Sequence, residues 1–175
     1  RQGFKLISST TKRITGLDGL LEELNKDYFL VVLDYDLNHN EEVLSAIGKQ
    51  ADKVEILVNE ICYPGCPKRS EHYRQQSQMQ LEYDIDAAFP CPNKTRERKF
   101  EECKERPSFI SREQIREYAD RGFVNFKIVG RGMPMDFVKE SYLYYLVKDD
   151  SRAFIRNKME STLNQFAQAM RKRKA

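Results

Sequence analysis

Four cysteines fall in one irregular stretch of the chain, which begins where an apolar run ends at Val58. They are Cys62, Cys66, Cys91 and Cys103. A thiolate is a strong ligand for soft metals, and four thiolates complete either a zinc tetrahedron or a 4Fe-4S cube. We therefore interpret the four as a metal or cluster site. Two other interpretations stay open: a disulfide framework, which needs an oxidising compartment, and four unrelated thiols buried as small apolar side chains.

The spacing of these cysteines favours an iron-sulfur cluster, with zinc as the alternative. Cys62 and Cys66 enclose three residues rather than the two of a zinc knuckle, and Cys91 and Cys103 belong to separate turns. Zinc ribbons usually repeat a short pair twice. One close pair with two distant partners is more typical of a cluster held by a long loop. His72 follows Cys66 closely enough to be an alternative ligand.

The elements that must position these cysteines alternate between strand and helix. Strands are predicted at residues 4–7, 29–33, 54–58 and 123–129, and helices at about 17–26, 41–51, 71–83, 111–121, 136–147 and 151–171. The second run, residues 29–33, is continuously apolar, as a strand buried on both faces of a parallel sheet requires. A capping box of Ser111 and Gln114 marks one helix start. The predicted fold class is therefore α/β, built from parallel βα units.

The length limits how much of a barrel the chain can form. A complete (β/α)8 barrel of the TIM type needs roughly 250 residues, whereas this chain has 175. We expect a single domain over 1–175 that forms a partial or half barrel, with a Cys-rich excursion over 61–108 after strand three. Because the chain opens on Arg1 rather than Met, we expect a fragment of a longer barrel. The missing half would come from another segment or from a second copy.

Charge and hydropathy limit which binding partners and which cellular compartment the sequence predicts. The 30 basic and 27 acidic residues give a net charge of +3, which does not by itself imply nucleic acid. No run approaches the roughly 20 apolar residues of a membrane span, and no signal peptide is visible. The sequence thus predicts a cytoplasmic protein without a membrane partner. The basic residues 171–174 predict only salt-sensitive, non-specific attraction to a polyanion.

Ligands of parallel sheets bind beyond the carboxyl ends of the strands. Polar or flexible residues follow all four predicted strands there, namely Ser8 to Thr11, then Asp34, Tyr35 and Asp36, then Asn59, Glu60 and Cys62, and finally Gly130 and Arg131. Such residues can form a site, although any loop that leaves a buried strand must also become polar.

Two motifs carry a resemblance to a known family. The run Val54–Cys62, read VEILVNEIC, resembles the strand that leads to the first cluster cysteine of the collagenase-like peptidases of unknown catalytic type. The run 126–131, FKIVGR, is similar to that family's Phe-Lys-Ile-Glu-Gly-Arg signature. The chain departs from the family at Asn59-Glu60, where the family has His-Gly, at Val129, where it is acidic, and in a second cysteine pair that is spread apart here.

The resemblance implies a barrel enzyme with a 4Fe-4S cluster, whose relatives hydroxylate tRNA, ribosomal RNA or ubiquinone precursors without oxygen. Its matched positions include Glu55, and they suggest Lys127 and Arg131 as charge anchors for a carboxylate or phosphate. Glu60 is a candidate proton carrier beside Cys62. We thus expect a cluster-dependent enzyme that acts on an RNA base or an aromatic metabolite. The alternative is a non-catalytic α/β module in which zinc pins the excursion as an interaction surface.

Overall fold

The computed structural model describes residues 3–83, 89–91, 98–130 and 132–174, with side chains described up to residue 172. Four strands and seven helices occur in these ranges. The strands are β1 (Ile7–Ser8), β2 (Leu30–Val32), β3 (Val54–Leu57) and β4 (Asn125–Lys127). The helices are α1 (Leu17–Leu24), α2 (Glu41–Ile47), α3 (Arg69–Glu82), α4 (Phe100–Lys104), α5 (Arg112–Asp120), α6 (Met135–Leu146) and α7 (Arg152–Lys174).

The strands form one parallel sheet in the order β1-β2-β3-β4, which confirms the predicted α/β class with parallel βα units. Each strand therefore returns next to its predecessor, and all four carboxyl ends lie at one edge. Closure into a barrel stays a prediction. Both central strands have buried apolar side chains, as strands in the middle of a parallel sheet require: Val31, Val32, Val54, Ile56 and Leu57.

The two edge strands are shorter than predicted. Phe4 is 81% exposed and Leu6 is 56% exposed, and only Ile7 and Ser8 pair with β2. At the other edge, β4 is limited to Asn125–Lys127 of the predicted 123–129. An edge strand has a neighbour on one side only, so an apolar sequence there is not sufficient to extend its ladder.

The predicted capping box is confirmed. The Gln114 backbone N–H donates to Ser111 Oγ at 3.2 Å, and the Ser111 N–H donates to Gln114 Oε1 at 2.7 Å. This reciprocal pair satisfies two donors at the start of α5. Gly122 then follows the helix with φ +95°, a conformation that glycine adopts without steric cost.

The chain divides into two compact units, Arg1–Val129 and Gly130–Ala175. The first contains the sheet and the helices up to α5, and the second contains α6 and α7. In the second unit the Arg156 guanidinium donates two hydrogen bonds to the Glu140 carboxylate, at 3.0 and 2.6 Å. Lys139 also pairs with Glu160 at 2.9 Å. Among the helices of the described ranges, none has the length and apolar character that crossing a membrane requires.

Candidate metal centre

The carboxyl ends of β3 and β4 are joined by a side chain. Asn59 is fully buried two residues after β3, its Nδ2 donates to the Val129 carbonyl at 2.9 Å, and its Oδ1 accepts from the Val129 N–H at 2.6 Å. The amide thus replaces a backbone pair and continues the ladder beyond Lys127. This fixes the point from which the cysteine-bearing turn departs.

A second segment returns to the same edge after the excursion. The Ile110 N–H donates to the Val58 carbonyl at 3.0 Å, and Asn38 Nδ2 donates to the carbonyls of both Leu57 and Ser108, at 2.9 and 2.7 Å. These bonds hold residues 108–110 alongside the end of β3. The end of α4, which carries Cys103, is therefore brought back to the turn that follows β3.

Glu60 lies in the turn after β3 and contacts both cysteine-bearing segments. Its Oε1 accepts a hydrogen bond from the Cys62 backbone N–H at 3.0 Å, and the Cys103 thiol lies 3.6 Å from the Glu60 backbone oxygen. Burial raises the pKa of the Glu60 carboxyl, against the opposing effect of the Cys62 and Ile61 N–H groups. The Glu60 side chain, which the sequence predicts as a proton carrier, thus holds the backbone of the cysteine turn through the Cys62 N–H.

Two of the thiols are held in their protonated form by their surroundings. Burial raises the pKa of Cys103 to about 12, with a smaller contribution from Glu60. Burial also raises the pKa of Cys62, and nearby Glu60 and Cys66 add to the increase. The nearby Tyr35 hydroxyl acts in the opposite direction and lowers the pKa of Cys62. This hydroxyl makes no hydrogen bond of normal geometry within the described residues. A thiol in this environment is a poor nucleophile unless a cation or metal takes the place of its proton.

Cys62 and Cys66 enclose a tight turn. The Cys66 N–H donates to the Tyr63 carbonyl at 3.3 Å, and Gly65 has φ +67°. Cys62 packs against the buried cluster of Val32, Tyr35 and Leu57. The turn passes directly into α3, because the Arg69 N–H donates to the Cys66 carbonyl at 3.2 Å.

Cys91 is connected to α3 through an aromatic contact. The ring of Phe89 stacks on that of His72 with centroids 4.6 Å apart and planes 7° from parallel, and the Cys91 N–H donates to the Phe89 carbonyl at 2.8 Å. His72 lies in the first turn of α3, six residues after Cys66. Burial lowers its pKa, with a further contribution from Arg98. Cys91 is thus linked to α3 through the contact between Phe89 and His72.

All four cysteines are free thiols, so the disulfide interpretation is not what the structure shows. In the part of the chain that the structure describes, no group of three or more His, Cys, Asp or Glu side chains is placed to hold one metal ion. Thiols are the donor type that soft metal ions and iron-sulfur clusters use.

A charge network that the sequence did not predict lies at the end of β2. Arg69 is fully buried, donates to Asp34 at 3.0 Å and to Asp36 at 2.5 Å, and stacks on the Tyr35 ring with its guanidinium carbon 3.9 Å from the ring centre. Arg13 also pairs with Asp34 at 2.9 Å. Burial would raise the pKa of Asp36, but Arg69 and the other donors outweigh it and lower that pKa.

The structure gives different answers for the three predicted catalytic residues, Glu60, Lys127 and Arg131. Glu60 lies beside Cys62, as described above. Lys127 donates to Glu55 at 3.0 Å across the β3–β4 pair and is partly exposed. Arg131 lies outside the described residues.

Comparison with known proteins gives one distant relative. The chain is 28% identical over 150 residues to an uncharacterized protease of Methanocaldococcus jannaschii, and the match covers 82% of this chain and 44% of the relative. The chain therefore spans less than half the length of the curated relative that it matches. No family model matches the sequence, and no solved structure matches it.

Proposed function

We propose that Cys62, Cys66, Cys91 and Cys103 together bind a 4Fe-4S cluster at the carboxyl edge of the sheet. The observation that supports this proposal is that Cys62 and Cys103, which are 41 residues apart in the sequence, both contact Glu60. That edge is where parallel sheets bind their ligands. Four sulfur donors are the usual protein ligands of such a cluster.

We further propose that the chain is part of a cluster-dependent enzyme that acts on an RNA base or an aromatic metabolite by oxygen-independent hydroxylation. The protease name of the M. jannaschii relative and the two motifs of the sequence support a peptidase-like family. When bound, the cluster would supply electron transfer or activation of a substrate. Proteolysis by Cys62 or Cys103 is disfavoured, because burial raises the pKa of both thiols and a nucleophilic cysteine needs a lowered pKa.

The remaining site residues have separate roles in this proposal. Glu60 holds the Cys62 N–H and thus the orientation of the turn. Lys127 and Arg131 supply positive charge for a carboxylate or phosphate of the substrate, with the arginine fork suited to bidentate binding. In the structure Lys127 contacts Glu55, so substrate binding would have to compete with that ion pair.

The test is anaerobic purification followed by reconstitution with iron and sulfide. The wild-type chain should become brown, with broad absorbance in the blue and matching iron and acid-labile sulfide contents. Single Cys→Ser changes at the four positions should each reduce the colour strongly. His72→Phe is the matched control, because it removes the alternative imidazole ligand and keeps a ring that can stack on Phe89, and it should leave the colour intact. A colourless protein with stoichiometric zinc would instead support the non-catalytic interaction module.

A further inference from the structure

The charge network at the end of β2 includes an arginine from the loop that follows β1. Arg13 donates from Nη1 to Asp34 at 2.9 Å and to Asp36 at 3.2 Å. Arg69 donates to the other oxygen of each aspartate. All four carboxylate oxygens therefore accept a hydrogen bond from an arginine, and the two positive charges compensate the two negative ones.

The network uses only one nitrogen of the Arg13 guanidinium. Its Nε and Nη2 donate to no residue in the described part of the chain. The Arg13 side chain is 20% exposed, whereas that of Arg69 is fully buried, so a ligand can reach Arg13. The unused edge presents two parallel N–H donors, which is the arrangement that binds a carboxylate or phosphate bidentately.

The backbone of Arg13 is a second, independent feature. Its φ of +59° and ψ of +47° lie in the left-handed region, which residues other than glycine rarely adopt. Residues in such strained conformations persist where the surrounding structure holds them, and they cluster at active sites and ligand-binding positions. Here Asp34 and Asp36 hold the side chain. The conformation therefore favours a binding role for Arg13.

Asp36 connects Arg13 to the turn that follows β3. The backbone N–H of Gly65, which lies between Cys62 and Cys66, also bonds to Asp36 and contributes to its lowered pKa. The loops after β1, β2 and β3 thus meet at this carboxylate. They all leave the carboxyl edge of the sheet, where parallel sheets bind their ligands.

We infer that Arg13 binds an oxyanion of the substrate, a phosphate or a carboxylate, through Nε and Nη2 at the carboxyl edge of the sheet. Asp34 and Asp36 orient this edge of the guanidinium by holding Nη1. That the anion belongs to a substrate rests on the proposed function. The binding of the anion itself needs only the residues of this chain.

The test titrates the full chain, as purified, with inorganic phosphate and separately with benzoate. Nuclear magnetic resonance follows the Arg13 Nε–H signal and the backbone amides of residues 9–13. One of the two anions should shift these signals saturably: phosphate indicates a nucleotide-type substrate, and benzoate indicates an aromatic acid. Arg13→Gln should raise the dissociation constant of that anion by about tenfold, as expected when a charged hydrogen bond is lost. Arg13→Lys keeps the charge without the fork and should give an intermediate value.

Arg121→Gln is the matched control, because Arg121 is also partly exposed and pairs with a carboxylate, that of Glu41. It should bind the anion as the wild type does, and an equal loss in this variant would show non-specific attraction and overturn the inference. Saturable shifts with neither anion, or unchanged binding in Arg13→Gln, would also overturn it.

A second variant keeps the test decisive if Arg13→Gln does not fold. Arg13→Gly removes the guanidinium, and glycine adopts a φ of +59° without steric cost, so this variant should fold and lose the anion. Retained binding in Arg13→Gly would contradict the inference. A chain that binds the anion through Arg13 but forms no brown cluster would keep the anion site and remove the proposed function, whereas a brown chain that binds neither anion would do the reverse.

Discussion

Asn59 and Val129 exchange two hydrogen bonds, so that a side-chain amide extends the pairing of β3 with β4 beyond the last ladder residue. Asn59 is fully buried, and both its donor and its acceptor are used. The family that the sequence resembles has His-Gly where this chain has Asn59-Glu60. In this chain the Asn59 side chain instead joins the ends of β3 and β4. The cysteine turn begins immediately after it, so the accuracy of the site depends on this pair.

Replacement of Asn59 tests that dependence. Asn59→Ala leaves the N–H and carbonyl of Val129 without their partner, and we expect a loss of about 2–4 kcal/mol in the free energy of unfolding. Urea denaturation followed by circular dichroism measures it. Asn25→Ala, at an exposed position just after α1, is the control and should cost far less. Equal effects of the two changes would show that the Asn59–Val129 pair contributes little.

The Arg69 network predicts a second stability effect. Arg69→Met leaves Asp34 and Asp36 facing each other with only Arg13 as counter-charge, and breaking a buried ion pair typically costs about 3–5 kcal/mol. Arg121→Met is the matched control, because Arg121 pairs with exposed Glu41, and exposed pairs contribute about 0–1 kcal/mol. Chemical denaturation of both variants should show the difference. A mild effect of Arg69→Met would mean that water replaces the guanidinium.

The sequence predicted the features that depend on neighbouring residues and missed those that depend on distant ones. Local patterns were sufficient for the central strands and for the Ser111–Gln114 capping box, because their signals lie within a few residues. The cysteine stretch was likewise evident from residue types alone. The Arg69 network was not, since Asp34 lies 35 residues earlier and nothing in the sequence around α3 indicates its partner. The first strand was predicted to begin too early, because the apolar residues Phe4 and Leu6 lie at the edge of the sheet and are exposed there.

Glu23 predicts how stability changes in acid. Hydrogen bonds from Lys12, Ser8 and Lys26 hold the pKa of this buried carboxyl at about 2, below its ordinary value of 4.5. A lowered pKa stabilises the folded state fully above about 4.5, and the contribution is lost as the pH falls from there towards 2. Glu23→Gln should therefore flatten the fall in unfolding midpoint over this range. Glu22→Gln, at the neighbouring exposed position, should keep the wild-type slope.

Removal of the proposed metal centre gives the last prediction. A group that binds only the folded chain stabilises it by mass action, so the reconstituted wild type should unfold at a higher temperature than the same protein after chelation. The difference should disappear in Cys66→Ser, because that variant lacks one ligand in both conditions. Differential scanning calorimetry with and without chelator measures it, and His72→Phe, which keeps an aromatic ring against Phe89, should behave as wild type. If the chelated and reconstituted wild-type proteins unfold at the same temperature, the four thiols bind no centre that contributes to the fold.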